Sequence, residues 1–249
     1  MPDSILLLSW VAFTFILAGM VKGIVGMGLP TVAMGLLGLV MLPVEAAALL
    51  VVPSLVTNIW QLATGPRFLY LARRLATMML GVCAGTILGI GLLASGASRL
   101  PSAALGTVLA IYGVVGLLGP RFAVPSRAEP WLSPLVGVAT GVLTGATGVF
   151  VIPSVPYLGS LGLDKEELIQ ALGLSFAVST IALAAGLAVT GGLDASLAWA
   201  SLLALVPAVA GMLIGQAVRN RLRPEVFRRW FFASLVVLGL YMLVRATAS

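Results

Sequence analysis

The sequence predicts an all-α, polytopic membrane protein built from two homologous halves. Of its 249 residues, 60% are hydrophobic and only 9% are charged, and no soluble core requires so large an apolar share. The apolar runs are each long enough to cross a hydrocarbon layer of about 30 Å. A segment of the first half that contains glycine and proline also recurs in the second half. Together these observations predict a duplicated bundle of membrane-spanning helices.

Eight apolar units follow one another along the chain: 4–40, 43–64, 75–96, 102–119, 132–160, 166–190, 195–217 and 226–245. The first and fifth units are long for one crossing, and both are interrupted by glycine and proline. We therefore predict that each half consists of a broken helical hairpin followed by three transmembrane helices. Residues 1–120 are assigned to the first repeat, 121–130 to the linker and 131–249 to the second repeat.

The duplication is clearest at the two interruptions. Three glycines recur at a constant offset of 122 residues: Gly19, Gly23 and Gly26 match Gly141, Gly145 and Gly148. Pro30 and Pro153 follow the two sets. Apolar segments are built from few residue types, so chance similarity is the alternative to duplication. The common order of glycines and prolines favours duplication.

The distribution of Lys and Arg tests the topology, because cytoplasmic loops carry an excess of both. If all eight units crossed once, six would lie on one side and seven on the other, which is no bias. If units one and five return to the side they enter from, only Arg99 and Arg245 lie outside the cytoplasm. The other eleven share the cytoplasmic side: Arg67, Arg73, Arg74, Arg121, Arg127, Lys165, Arg219, Arg221, Arg223, Arg228 and Arg229. Each half then crosses an odd number of times, which predicts an inverted repeat, an arrangement of many secondary transporters.

The composition limits the chemistry of the protein. Histidine is absent and Cys83 is the single cysteine, which argues against histidine-based metal sites, haem ligation and a disulfide framework. We expect no metal, no cofactor and no enzymatic activity. The net charge of +6 is expected from the basic loops of a membrane protein and does not indicate a nucleic-acid partner. The expected partners are the lipid bilayer and a small anionic substrate.

The helix breaks are the first candidates for a binding site. Lipid cannot satisfy the backbone N–H and C=O groups of a broken helix, so protein or a wet cavity covers them. New helices are predicted to start near Leu29–Pro30 and around Phe150–Pro153, and free N–H groups at a helix start favour an anion. The candidates at the breaks are Gly23, Gly26, Gly28, Thr31, Gly145, Thr147 and Gly148. The alternative is that the glycines are helix-packing positions with small-xxx-small spacing.

Lys22 is the one cation that lies inside an apolar unit and away from the assigned loops. A lysine inside a membrane is costly and marks a functional site by default. In the hairpin arrangement it lies near the tip, where its charge would hold an anion. Thr144 is its counterpart in the second half and can also donate a hydrogen bond to an oxyanion. The alternative is that Lys22 extends to the membrane interface.

A stripe of polar residues follows each hairpin. Ser54, Asn58 and Gln61 are three and four residues apart and therefore share one helix face. Ser175 and Ser179 lie on the matched helix of the second half. These side chains either line a transport path or hold helices together by hydrogen bonds, and the sequence leaves both readings open.

The glycine-rich breaks resemble those of the TauE/SafE sulfite exporter family of inner-membrane proteins. The resemblance rests on Gly23-x-x-Gly26-x-Gly28-x-Pro30 and Gly145-x-x-Gly148-x-x-x-x-Pro153, with Val149 and Phe150 where more glycine is usual. It covers the whole chain. It implies a multi-pass protein of the inner, plasma membrane that transports sulfite, sulfoacetate or a related organosulfonate.

A membrane-embedded assembly or partner subunit without transport activity is the alternative function. The sequence does not identify the anion, the direction of transport or a coupling ion. It also leaves open whether the hairpins re-enter or fully cross the membrane, and whether the protein forms a homodimer.

Overall fold

The computed structural model describes residues 2–95, 99–119, 123–219, 221 and 224–248. Some predicted positions lie outside these ranges: residue 96 of the third apolar unit, residues 121–122 of the predicted linker, which include Arg121, and Arg223. Within them, every regular element is a helix, as predicted. The helices are α1 Pro2–Val25, α2 Leu29–Leu37, α3 Pro43–Ala63, α4 Phe68–Arg74, α5 Ala76–Ala94, α6 Arg99–Leu118, α7 Glu129–Thr147, α8 Ser154–Gly159, α9 Lys165–Thr190, α10 Ala195–Arg219 and α11 Pro224–Ala248.

Among the described residues, seven helices are long and apolar enough to cross a membrane: α1, α3, α5, α6, α9, α10 and α11. Their outer surfaces carry large apolar side chains, such as Ile87 and Leu88 of α5, which are 72% and 74% exposed. The predicted multi-pass, all-α fold is therefore confirmed. α7 is not in this set, because polar residues such as Ser133 and Thr140 reduce its mean hydropathy. It begins at Glu129, inside the predicted linker.

Both predicted interruptions are present, but they begin later than expected. α1 continues to Val25 and α7 to Thr147, so Gly23 and Gly145 lie inside helices. The chain leaves the helical path at Gly26 and Gly148, which have φ of 81° and 72°. Only glycine adopts such dihedrals without strain. The positions of Gly23 and Gly145 in the breaks were therefore predicted wrongly, because packing glycines have the same spacing as break glycines.

The first hairpin folds back on itself. Trp10 Nε1 donates a hydrogen bond of 3.1 Å to the carbonyl oxygen of Leu36, and Gly28 lies against Val21. The third turn of α1 is thus beside the end of α2, and the two helices are antiparallel. With nine residues and a rise of about 1.5 Å per residue, α2 is too short to cross a membrane alone.

The second hairpin has the same form. The hydroxyls of Ser133 on α7 and Tyr157 on α8 are 2.6 Å apart. The N–H of Val124 donates to the carbonyl oxygen of Ser160 at 3.0 Å. The end of α8 therefore returns to the level at which α7 begins.

Glycines bring helices of the two halves into backbone contact. A Cβ atom at Gly19 would lie 2.1 Å from the carbonyl oxygen of Ala208, and one at Gly23 would lie 2.2 Å from that of Met212. From α10, a Cβ at Gly211 would lie 2.0 Å from the carbonyl oxygen of Ile16. Residue numbers rise together along this contact, so α1 and α10 are parallel.

α5 and α7 form the corresponding pair. A Cβ at Gly85 would lie 2.2 Å from the carbonyl oxygen of Val138, and one at Gly89 would lie 2.3 Å from that of Val142. From α7, a Cβ at Gly141 would meet the carbonyl oxygen of Val82 at 2.2 Å. This pair is also parallel, and it joins the hairpin of the second half to a helix of the first.

α6 and α11 run in opposite directions, because Gly106 lies against Gly239 and Gly113 lies against Phe232. α3 and α9 are also antiparallel, since Gly173 lies against Leu62 while Asn58 contacts Thr180. α3 and α6 therefore run opposite to their counterparts α9 and α11 in the second half. The inverted repeat stays a prediction, and these directions are what it requires.

The helix ends lie at two faces. The first, here called the basic face, is joined by the ion pairs Arg67–Glu167 and Arg74–Glu129, both of 2.7 Å. The opposite face includes the contact of the Arg245 guanidinium with the carbonyl oxygen of Leu39, at 2.6 Å. The helix directions assign nine described cations to the basic face: Arg67, Arg73, Arg74, Arg127, Lys165, Arg219, Arg221, Arg228 and Arg229. This is the distribution that the hairpin arrangement predicts.

A proline in α3 is compensated by another helix. Pro53 has no N–H to donate to the carbonyl oxygen of Leu49, four residues earlier. Ser201 of α10 donates its hydroxyl to that oxygen at 2.8 Å and accepts the N–H of Val52 at 3.0 Å. Ser201 of the second half therefore satisfies the backbone groups of α3 that are next to Pro53.

The glycine contacts predict the effect of adding a methyl group. Gly85→Ala should lower the thermal unfolding midpoint of the detergent-solubilised protein, because the Cβ atom overlaps the α7 backbone and overpacking costs about 1–3 kcal/mol.

The matched control is Gly91→Ala on the same helix, where a Cβ atom meets nothing within 4 Å. It should be neutral or stabilising by roughly 0.5–1 kcal/mol, because alanine favours helix over glycine. Equal midpoints for the two variants would contradict the assigned pairing of α5 with α7.

Candidate functional site

Lys22 lies in the last turn of α1 and is only 4% exposed. Its ammonium group donates a hydrogen bond to Oδ1 of Asn58 on α3. The alternative that Lys22 extends to the membrane interface is therefore wrong. The Nδ2 of Asn58 in turn contacts Oγ1 of Thr180 on α9 at 3.5 Å. A buried polar chain thus connects α1, α3 and α9.

The charge of Lys22 has no carboxylate partner within the described part of the chain, where the ion pairs are Arg67–Glu167 and Arg74–Glu129. Asn58 supplies a neutral oxygen only. Burying a cation without a counter-charge is expensive. The arrangement therefore favours a negative charge beside the ammonium group.

A cavity of about 270 Å³ adjoins Lys22. Its walls include four predicted residues: Lys22, Gly23, Gly26 and Gln61. Gln216 and Arg219 of α10 also line it and are exposed, so the cavity opens at the basic face. The sequence analysis did not select these two as binding residues, because nothing in the sequence indicates that α10 pairs with α1.

Four predicted site residues carry buried hydroxyl groups that have no hydrogen-bond partner among the described residues: Thr31, Ser54, Ser175 and Ser179. Oε1 of Gln61 is also unpartnered, although its Nε2 donates to the carbonyl oxygen of Ile169 at 2.9 Å. Buried polar groups are nearly always hydrogen-bonded, so such groups need a water, an ion or a ligand. Two further unpartnered hydroxyls, of Thr14 and Thr140, were not predicted.

The predicted residues of the second break are less available. The hydroxyl of Thr144 donates to the carbonyl oxygen of Thr140, and that of Thr147 donates to Leu143, both at 2.7 Å. A Cβ atom at Gly145 would lie 2.5 Å from the carbonyl oxygen of Thr86. These residues hold α7 in shape or against α5.

The two break glycines differ in their surroundings, because a Cβ atom at Gly26 would meet nothing within 4 Å. Gly148 lies against Met34 of α2 and Ala47 of α3, so the second break touches the hairpin of the first half. Their N–H groups are used, because Gly26 donates to the carbonyl oxygen of Lys22 at 2.7 Å and Gly148 to that of Thr144 at 2.8 Å. The expected backbone cradle requires both N–H groups to be free for an anion. Neither of them is, so this part of the expectation is wrong.

The start of α2 keeps part of that expectation. Gly28 is its N-cap and offers no side-chain cap, and Pro30 lies in the first turn. The first N–H groups of a helix have no partner inside it. Gly28, with φ of 104°, packs against Val21 and Phe231, and Thr31 is fully buried.

Side chains at the basic face connect the halves next to the cavity. Gln170 of α9 donates to the carbonyl oxygens of Leu62 and Gly65 at 2.9 and 2.8 Å. Its Oε1 accepts the N–H of Arg67 at 2.8 Å. The turn after α3 is thereby fixed to the start of α9. Gln61, which lines the cavity, is held against α9 in the same region.

These features define a multi-pass membrane protein with two broken helical hairpins and a small polar cavity beside a buried lysine. The description of the family whose model matches residues 11–242 is sulfite exporter TauE/SafE, and the chain belongs to that family. It is a family of membrane transporters. No curated protein and no solved structure matches the chain.

The buried serines predict a separation of stability from binding. Ser201→Ala should destabilise the protein by about 1–3 kcal/mol, because two backbone groups of α3 lose their partner. Ser175→Ala should leave the thermal midpoint almost unchanged, because its hydroxyl has no hydrogen bond to lose, but it should weaken sulfonate binding.

Thermal unfolding in detergent and calorimetric titration with sulfonate measure the two effects. Ser201→Ala, if it folds, serves as the variant that retains binding. An equal loss of stability in both variants would mean that Ser175 has a structural role.

Proposed function

We propose that the protein exports a small sulfur-containing anion, such as sulfite, sulfoacetate or a related organosulfonate, across the inner membrane. The anion binds beside Lys22, at the first broken hairpin; the described residues that line the adjoining cavity come from α1, α3, α9 and α10 rather than from the second hairpin. The observation that carries the proposal is the buried ammonium group, which lacks a carboxylate partner among the described residues and adjoins a polar cavity. Membership of a sulfite exporter family supports the class of substrate.

Neutral groups on α2 and on the helices that carry Asn58 and Thr180 suit an oxyanion, although they lie outside the wall of the cavity beside Lys22. A sulfonate or sulfite group has several acceptor oxygens and needs donors around it. The hydroxyls of Ser54, Ser175 and Ser179 are buried and have no partner in the part of the chain that the structure describes, and each can donate one hydrogen bond. The first turn of α2 adds N–H groups and the positive end of its dipole.

The site also receives access from one face. Arg219 and Gln216 are exposed at the mouth of the cavity. The excess of basic residues makes the basic face cytoplasmic. An anion would therefore approach from the cytoplasm and meet Arg219 before Lys22.

Alternating access follows from an inverted repeat. The pairs α1–α10 and α5–α7 each join the two halves through backbone contacts and move as units. Rocking of one pair against the other would expose the polar stripe of α3 and α9 to each face in turn. With the cell interior negative, export of each negative charge gains about 2.3 kcal/mol per 100 mV, so no proton-coupling acid is required.

Two substitutions test the role of the charge. Lys22→Ala should abolish sulfonate transport in proteoliposomes, because it removes the cation. Asn58→Asp should do the same by a different route, because a fixed carboxylate beside the ammonium group replaces the substrate anion and also stabilises the fold.

Lys165→Ala is the control, since Lys165 is exposed at the start of α9, and it should transport normally. Initial rates of uptake of radiolabelled sulfite and sulfoacetate measure all three variants. Normal transport by Lys22→Ala would overturn the assigned role of the charge. A flat signal for every anion with the unmodified protein would favour the assembly-subunit alternative.

A further inference from the structure

The cavity beside Lys22 has hydrogen-bond donors on the side that α1 and α10 form. The ammonium group of Lys22 carries three protons, and Asn58 accepts one of them. Gln216 and Arg219 of α10 add further N–H groups nearer the basic face. The anionic part of a ligand is therefore expected to lie against these two helices.

α3 presents hydrogen-bond acceptors to the same cavity. Thr57, Gln61 and Thr64 line it, and their spacing places them on one face of the helix. The hydroxyl of Thr57 donates to the carbonyl oxygens of Pro53 and Ser54 at 2.7 and 3.3 Å. The hydroxyl of Thr64 donates to the carbonyl oxygen of Gln61 at 3.0 Å. Because a hydroxyl has only one proton, both threonine oxygens can only accept a hydrogen bond from a ligand.

Gln61 is the acceptor of this face that still needs a partner. Its side chain is only 8% exposed. Its Nε2 donates to the carbonyl oxygen of Ile169 at 2.9 Å, which fixes the orientation of the amide group and leaves Oε1 for a ligand. That oxygen is buried and has no hydrogen bond within the described ranges of the chain. Leaving a buried acceptor unsatisfied is unfavourable, so a ligand with a proton to donate gains affinity here.

A sulfonate group alone satisfies only the donor side of the cavity. Its oxygens are acceptors, so an unsubstituted alkanesulfonate has no proton for the acceptors of α3. A hydroxyl group on the same molecule supplies that proton. An ammonium group would also supply one, but the described residues of the wall include no Asp or Glu. Lys22 and Arg219 would therefore repel a second cation without compensation.

We propose that the site selects small sulfonates that carry a hydroxyl group, and that Gln61 is the residue that recognises this hydroxyl. The sulfonate group lies against Lys22, and the hydroxyl donates to Oε1 of Gln61. Val25 and Met212, which also line the cavity, offer apolar surface to the short carbon chain between the two groups. That the ligand is a sulfonate rests on the proposed function; the acceptor side of the cavity does not.

Calorimetric titration of the detergent-solubilised protein tests the selection. It compares 2-hydroxyethanesulfonate with ethanesulfonate, which has the same carbon chain and charge but no hydroxyl. The Kd of 2-hydroxyethanesulfonate should be at least about tenfold lower, because ethanesulfonate leaves Oε1 of Gln61 buried without a partner. 2-Aminoethanesulfonate should bind no better than ethanesulfonate, because its ammonium group meets cations and no acid.

Three variants separate the hydroxyl from the charge. Gln61→Met should bring the two Kd values within about twofold of each other, because methionine has a similar length but supplies only a weak acceptor. Lys22→Ala should raise both Kd values by a similar factor and leave their ratio unchanged, because it removes the charge and not the acceptor. Gln170→Met is the matched control. Gln170 also holds α9 against α3 but is not in the wall of the cavity, so the preference should remain.

Equal Kd values for the two sulfonates with the unmodified protein would overturn the selection of a hydroxyl and leave the proposed function intact. A preference that survives Gln61→Met would show that another residue recognises the hydroxyl. An equal loss of the preference in Gln170→Met would assign the effect of Gln61 to the packing of α3 on α9. No binding of any sulfonate by the unmodified protein would overturn the proposed function itself.

Discussion

Backbone polar groups that face hydrocarbon have no partner, and this constraint decides where each irregular segment of the chain lies. The break at Gly148 is covered by α2 and α3 of the first half, and the break at Gly26 lines the cavity beside Lys22. The missing N–H of Pro53 leaves a carbonyl group that Ser201 satisfies from another helix. Irregular segments are thus compensated by contacts with other helices. The polar interior that results can hold an ion.

Backbone-to-backbone packing provides the frame for that interior. Glycines allow α1 to touch α10 and α5 to touch α7, so each hairpin is fixed to a helix of the opposite half. Lys22 follows directly from this frame, because Gly23 beside it packs on α10 and leaves the lysine side chain facing α3. A cation next to a packing glycine therefore gains a position that is both buried and defined.

The sequence predicted the two hairpins, the polar stripe and the buried lysine, because apolar length, proline and an isolated charge each have a direct physical meaning. It placed Gly23 and Gly145 in the breaks, because two glycines four residues apart are typical both of a helix break and of a helix–helix contact. Gln216 and the link from Ser201 to Leu49 depend on which helices become neighbours. That information is not local, and no pattern within α10 contains it.

The central claim is that an anion binds against the buried ammonium group of Lys22, and the most direct measurement is the position of a bound ligand. A crystal of the protein grown with 2-bromoethanesulfonate would locate the ligand through the anomalous signal of bromine. The account predicts a sulfonate oxygen within about 4 Å of Lys22 Nζ, the range of an ion pair. Density for the ligand only elsewhere, with Lys22 still bonded to Asn58 alone at saturating concentration, would contradict it.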